Sequence, residues 1–375
     1  MFVAACCSWP HSETTQARVI ESAKSLKNWD EVKECVIRHR VIPLVNSAVK
    51  NLETVPESFR DWARKEAQKV AAHSLQITHD CIKIDAALKA AGVEPLHFKG
   101  PVLAQMAYGS VALKFSNDLD IFVSKREILS AFGVLKSSGF QIADHIERAT
   151  ESQISALVHN FKDACFVNSS GRLIELHWKF TNTNMQLSEI EQNPQRIQVE
   201  VANLAKLDTL NSTQTLTYLG VHGARHHWVR LKWLADFSAF LNALSSQQRT
   251  QSFEHINKSS NRDTFAQALK LCDTLLGTCY SPKMSHRASK LYEYSLMRIQ
   301  DPYLPGNRPF IGIILAQHVF LARHLPVSFW AKFQAIADIF YHKDDVLALP
   351  LPRALNWIYP LIRLPCYVVR RFKSL

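Results

Sequence analysis

The chain has 375 residues, 47% of them hydrophobic, only 11 glycines, and 44 Lys+Arg against 33 Asp+Glu for a formal net charge of +11. That length carries two or three structural units around a substantial core, and scarce glycine with long apolar-periodic stretches predicts a mostly helical protein with one modest sheet. The cationic excess suits a polyanionic partner (nucleotide, nucleic acid or anionic membrane) without choosing among them, and the eight cysteines, with no C-x-x-C pair, exclude a zinc-finger framework.

Met1 to Cys7 is apolar but lacks a basic leader and is too short for a signal sequence, so a cytoplasmic protein with a frayed end around Cys6 and Cys7 is expected. No stretch reaches the roughly 18 uninterrupted apolar residues of a spanning helix. Glu13 to about Lys50 and Glu57 to about Ala91 have helical periodicity, broken at Pro43 and Pro56, with Asn28 placed to cap. Gly92 ends the second stretch, and Val93 to Phe98 reads as a short strand entering Lys99-Gly100. Pro101 suits the first turn of the helix that follows, which stops at Tyr108-Gly109-Ser110. Asp118 to Val123 is the next strand. Ser124 is placed to cap a helix through Lys136, Gly139 lies beyond its end, and Phe140 to Ala143 is a short strand. Lys162 to Val167 and Arg172 to Phe180 flank Asn168-Ser169-Ser170-Gly171, a hairpin signal. Residues 200 to 345 return to helix, with His222 to Asp236 on one helix, and Pro302, Pro305, Pro309, Pro326, Pro350 and Pro352 divide the remainder. The fold class is therefore α+β, a small mixed or antiparallel sheet between helical regions. Its divisions are an N-terminal helical region at 1–91, an α+β core at 92–182, a C-terminal helical domain at 183–345 and a basic apolar tail at 346–375.

Chemistry concentrates in the core. Side chains two apart on a strand point the same way, so Asp118 and Asp120 share a face while Leu119, Ile121 and Val123 enter the core. By the same alternation Ile174, Leu176, Trp178 and Phe180 fall on one face, and Glu175, His177 and Lys179 on the other. Asp118, Asp120 and Glu175 then form an oxygen-rich set for hard divalent cations, Mg²⁺ or Mn²⁺, which complete their shells with water and phosphate. In that arrangement Asp118 and Asp120 bridge two ions and Glu175 holds the one that binds an acceptor hydroxyl. Lys99-Gly100 opens a helix, where free N–H groups and the helix dipole attract phosphate, and Lys114 is a further cation for a triphosphate. The bland readings are a solvated Asp-x-Asp at a strand edge and ordinary surface lysines.

Leu96-His97-Phe98-Lys99-Gly100, then Lys114 with Asp118-Leu119-Asp120-Ile121-Phe122-Val123, then Ile174-Glu175-Leu176-His177-Trp178 resembles the bacterial uncharacterised nucleotidyltransferase family of the DNA polymerase β-like superfamily. Ala71 to Gly92 is similar to that family's helix before the turn, and His222 to Asp236 to its second signature, in a resemblance covering roughly residues 30–370. The resemblance implies transfer of a nucleotidyl group, commonly AMP from ATP, to a hydroxyl with Mg²⁺ assistance. It also points to acceptors in polysaccharide or peptide natural-product assembly. Where the superfamily has Gly-Gly or Gly-Ser this chain has Lys99-Gly100, and Lys114 stands where the family more often has arginine, a point charge in place of a fork.

On the second signature, Arg225 and Lys232 are placed to contact triphosphate and His222 to contact base or acceptor. The structural alternative is an Asp236 network with Lys232 or Arg225 that binds helix to sheet. The tail from Trp357 to Leu375 alternates apolar residues with Arg363, Arg370, Arg371 and Lys373, which suits either an anionic membrane surface or packing on the helical domain. Rival functions are a non-catalytic nucleotide- or protein-binding member of the fold and an RNA-end-modifying enzyme. The absence of a basic-aromatic RNA module disfavours nucleic acid. The cleft acids are expected to matter for turnover and little for folding.

Overall fold

A computed structural model describes residues 1–142, 150–181 and 187–301, with 319–320, 323–324, 343–349, 351–359, 361–362 and 365 from the C-terminal part. The strand end expected at Ala143, five of the six dividing prolines (all but Pro352) and the tail's Arg363, Arg370, Arg371 and Lys373 lie outside the described residues.

The N-terminal region is a helical layer of α1 (Phe2–Cys6), α2 (Glu13–Lys24), α3 (Trp29–His39), α4 (Ile42–Val49) and the 34-residue α5 (Glu57–Ala90). Asn28 caps α3 as its position predicts, accepting from the amides of Asp30 and Glu31, an arrangement worth about 1 kcal/mol. The chain start is not frayed. Phe2 to Cys7 are buried, because their apolar side chains fill a core shared with α4 and the later helices.

From α5 the chain enters β1 (Leu96–His97), α6 (Gly100–Tyr108), β2 (Asp118–Phe122), α7 (Ile128–Ser137), β3 (Phe140–Ile142), α8 (Glu151–Asn160), β4 (Asp163–Asn168) and β5 (Leu173–His177). The five strands form a mixed sheet in the order β1-β2-β5-β4-β3. The hairpin predicted around Gly171 pairs β4 with β5 antiparallel, and β2 runs parallel to β5 with Asp120 opposite Glu175. Register thus turns two sequence motifs into one cluster. One face of the sheet, with Leu119, Ile121, Ile174 and Leu176, packs against Ile77, Cys81, Ile84 and Leu88 of α5. The cap of α7 differs from expectation: Ser124 does not cap it; instead the Glu127 carboxylate accepts from the Ser124 amide.

Two corrections concern the C-terminal half. After α9 (Ser188–Gln192), Arg196–Val201 and Ala205–Leu210 form an antiparallel ribbon, β6 and β7, where helix was expected. The Ala202-Asn203 turn, both residues at positive φ, makes the hairpin, and Leu207 packs under the sheet core. Secondly, His222 to Asp236 is not one helix. α10 (Ser212–Arg225) stops, His227 and Trp228 take positive φ, and α11 (Leu231–Ala243) begins anew. The buried Trp228 indole folds back against Gly223, where a Cβ would come within 2.3 Å of the ring. The helices α12 (Ser246–Lys258), α13 (Arg262–Leu271) and α14 (His286–Gln300) complete the described C-terminal layer.

Among the described residues no helix is long and apolar enough to cross a membrane.

Candidate active site

A cavity of about 1050 Å³ opens where the acid face of the sheet meets α6, α10, α11 and the end of α3. Lys99, Gly100, Lys114, Asp118, Asp120, Glu175, His222, Arg225 and Lys232 all line it. The continuation of the β5 alternation fails beyond His177, where the strand ends. Phe180 crosses to the acid side and stacks on Phe122 at 4.7 Å, while Lys179 is absent from the cavity wall.

Alternation within β2 lifts Asp118, Asp120 and Phe122 to this face. Asp120 sits in the middle of the cluster: Lys99 Nζ lies 2.8 Å and His177 Nε2 3.2 Å from its Oδ1. His177 Nε2 also lies 3.3 Å from Glu175 Oε2, and the ring's Nδ1 faces Asp163 Oδ2 at 3.7 Å. One buried imidazole therefore stands between two of the acids and a rear carboxylate, itself bound by Lys162 and Lys343. Phe98, Phe122, Phe180 and Tyr218 wall the cluster with aromatic surface.

The electrostatics follow from this packing. Burial alone would push Asp120 up, but Lys99 and His177 outweigh it and hold the carboxyl well below the usual carboxylate range. A hydrogen bond from His177 lowers Glu175 against burial and the charge of Asp120. Asp118 is raised, first by burial and then by repulsion from Asp120 and Glu175. Lys99 stays firmly charged because Asp120 and the Tyr218 hydroxyl overcome its desolvation. The expectation that cleft acids contribute little to folding supposes exposed side chains, whereas Asp120 is buried and paired with a partly buried ammonium.

Donor atoms of Asp120, Glu175 and His177 lie within 4.8 Å of one another, with Asp118 on the same sheet face. Convergent carboxylates with one imidazole fit Mg²⁺ or, through the nitrogen, Mn²⁺. Gly100 opens α6 at φ +57°, where a Cβ would lie 4.0 Å from the Asp118 carbonyl oxygen, so the helix start lies beside the acid strand.

The cations expected at the nucleotide are placed differently from one another. Lys114 is buried with Nζ 2.7 Å from Asp236 Oδ2, and Tyr108 donates to Oδ1 of the same carboxylate at 2.9 Å. The Asp236 network therefore exists, but with Lys114 and Tyr108 where Lys232 or Arg225 was expected. Lys232 opens on the cavity, and burial together with Lys114 lowers its ammonium to about 7. His222 stacks on Tyr218 at 5.5 Å and accepts or donates at 3.3 Å to its hydroxyl; burial and then Lys99 press it toward the neutral form.

Sequence reasoning missed Asp163, Tyr218 and Arg40. Asp163 could have been found as the hairpin partner of His177, which it faces in the β4–β5 register. Tyr218 sits one turn before His222 on α10. Arg40 carries no local signal, since it reaches the cavity from the end of a helix in another layer.

A mixed sheet bearing convergent carboxylates beside a glycine turn at a helix start defines a nucleotidyltransferase type of site. A family profile described as uncharacterised nucleotidyltransferase matches residues 25–277, and the chain belongs to that family. A search of curated proteins gives no match.

Proposed function

We propose that this protein transfers a nucleoside monophosphate, AMP from ATP, to a hydroxyl of an acceptor with the assistance of Mg²⁺ or Mn²⁺. The observation that carries this reading is the meeting of Asp118, Asp120 and Glu175 on one wall of a cavity whose adjoining wall is the Lys99-Gly100 turn. Asp118, Asp120 and Glu175 would hold the divalent cation, with His177 Nε2 as a nitrogen at its edge. Bound there, such an ion supplies Lewis-acid stabilisation of charge on the phosphoryl oxygens and activates the attacking hydroxyl.

The chain's own residues do the rest. The α6 amides would bind phosphate, and Lys99, whose Nζ lies 2.8 Å from Asp120 Oδ1, would supply a charged donor to a phosphate oxygen. His177 fixes the rotamers of Asp120 and Glu175, with the Asp163 carboxylate facing the other side of its ring. The Glu175 side chain is the most exposed of the His177-linked carboxylates at 34%, so it is the one that an acceptor can reach and to which its proton can pass. Lys114 acts through Asp236, holding α11 and therefore Lys232 against the cavity. The aromatic wall and His222 leave room for a base or acceptor.

The test incubates the full chain with each of four labelled NTPs, Mg²⁺ or Mn²⁺ and a host extract, beside Asp118→Ala and Asp120→Asn. Metal-dependent label on an acceptor with the wild type alone supports the reading. Equal labelling by the variants, or no NTP binding in the presence of either metal, refutes it.

A further inference from the structure

The row of acids has two ends with different neighbours. Asp118 feels Lys99 and Lys232, and Arg40 feels Asp118. Glu175 answers to His177 and Lys162 instead. At the Asp118 end the Arg40 guanidinium carbon lies 5.3 Å from the centroid of Phe115, and Lys232 Nζ lies 5.9 Å from the same centroid. Arg230 is near enough to Arg40 for their charges to oppose each other. All of these line the cavity.

Among the described residues Arg40, Arg230 and Lys232 have no ion-pair partner, and the nearest acid on α11, Asp236, is taken by Lys114 and Tyr108. Arg40 and Lys232 beside one aromatic ring, with Arg230 next to Arg40, are three half-buried cations that repel each other unless an anion joins them. Arg40 is moreover held at φ +57°, ψ +45°, closing α3 in the left-handed conformation that helix ends usually give to glycine. A side chain there is retained against backbone preference, and it opens on the cavity.

Phosphoryl transfer places attacking and leaving oxygens roughly in line. With the acceptor at exposed Glu175, the leaving group departs toward the Asp118 end. The acceptor oxygen forms its bond to the α-phosphorus from the Glu175 side, and the bond from that phosphorus to the bridging oxygen breaks on the opposite side. The electron pair leaves on pyrophosphate, while the acceptor proton passes to Glu175 and on to solvent. The geometry points to a polyphosphate clamp in which Arg40 and Lys232, beside Phe115, and Arg230, next to Arg40, hold the terminal phosphates of the NTP and then the departing pyrophosphate. The N-terminal helical region thereby completes the site. This rests on the transfer reading for its direction, but its binding test does not.

The test is calorimetric titration of inorganic pyrophosphate and of tripolyphosphate into the full chain, beside Arg40→Gln, Arg40→Lys, Arg230→Gln and Lys232→Met. Each charge-removing variant is expected to weaken both anions about tenfold or more, and Arg40→Lys to retain most of the affinity. Adenosine binding should not move. Should Arg40→Gln fold poorly, Arg40→Asn removes the charge with a residue at ease in the left-handed region. Wild-type affinity for pyrophosphate in folded Arg40 and Arg230 variants overturns the clamp, as does a wild type that binds neither anion. A chain that binds pyrophosphate through Arg40 yet labels no acceptor refutes the transfer reading and leaves the clamp standing.

Discussion

Lys99 and Asp120 form a 2.8 Å ion pair across the mouth of the β1–α6 turn, joining the glycine turn at the start of α6 to the acid-bearing strand β2. The acid is 4% exposed at its side chain and the lysine 20%, so neither charge is replaceable by water without consequence. Buried charges of this kind are weak evidence for net stability, yet removing one member strands the other.

The acids therefore differ as mutants. Asp120→Ala should lower unfolding free energy by about 3–5 kcal/mol, because Lys99 and His177 lose their partner. Asp118→Ala should change it by less than about 1 kcal/mol in either direction, since its carboxylate is repelled by Asp120 and Glu175. Both should reduce transfer by orders of magnitude. Urea unfolding beside single-turnover assays separates the two effects, and equal destabilisation by both substitutions contradicts the assignment.

A second buried pair lies behind the sheet. His97 Nε2 is 2.9 Å from Asp85 Oδ1, and its Nδ1 is 3.3 Å from Cys81 Sγ, tying β1 to α5. Burial opposes the charge, but Cys81 and Asp85 raise the imidazole from 6.5 to about 10. A raised folded value means that the stabilisation is complete below pH 6.5 and is lost as pH climbs through about 10. Asp85 is lowered despite burial, by His97 and Lys89, so its share is present above 3.8 and fades as pH falls through the folded value. Melting temperatures from pH 6 to 10 should fall for the wild type, and Asp85→Asn should flatten that dependence while lowering stability at neutral pH. Parallel curves for the two proteins would rule this out.

Gly223→Ala tests the break between α10 and α11. The added methyl would stand 2.3–2.4 Å from three atoms of the buried Trp228 ring, so the indole or the helix must shift. Overpacking of this kind costs about 1–3 kcal/mol. Because the turn sets the spacing of His222 and Arg225 from Lys232, NTP affinity should drop alongside thermal stability. Trp228→Leu in the same background should recover part of both, and failure of that rescue counts against the steric account.

Lys232 supplies a pH signature. Burial, Lys114 and Arg40 oppose its charge, Asp236 and Asp118 favour it, and the balance lies near 7. The ammonium is present below that pH and lost above it, so kcat/KM for the NTP should fall on an alkaline limb near pH 7. Lys232→Arg should carry the limb out of the measurable range, because a guanidinium keeps its proton. An unmoved limb assigns it to another group.

Much of this was legible in the sequence because the physics is local. A period of two decides that Asp118 and Asp120 share a face, a glycine turn before Pro101 decides where α6 begins, and Asn28 caps its own helix. Patterning also set the mixed sheet between helical layers. Local rules gave out where a helix is interrupted to suit a tryptophan, where Leu207 turns a ribbon under the sheet, and where alternation ends with the strand at His177. Which carboxylate each cation meets was decided in three dimensions alone: Lys114 is spent on Asp236 across 122 residues, and Arg40 reaches the acids from a separate layer. Periodicity fixes the direction of a side chain relative to its own backbone. Its partner depends on how whole elements pack, and that is settled by burial summed over the entire core.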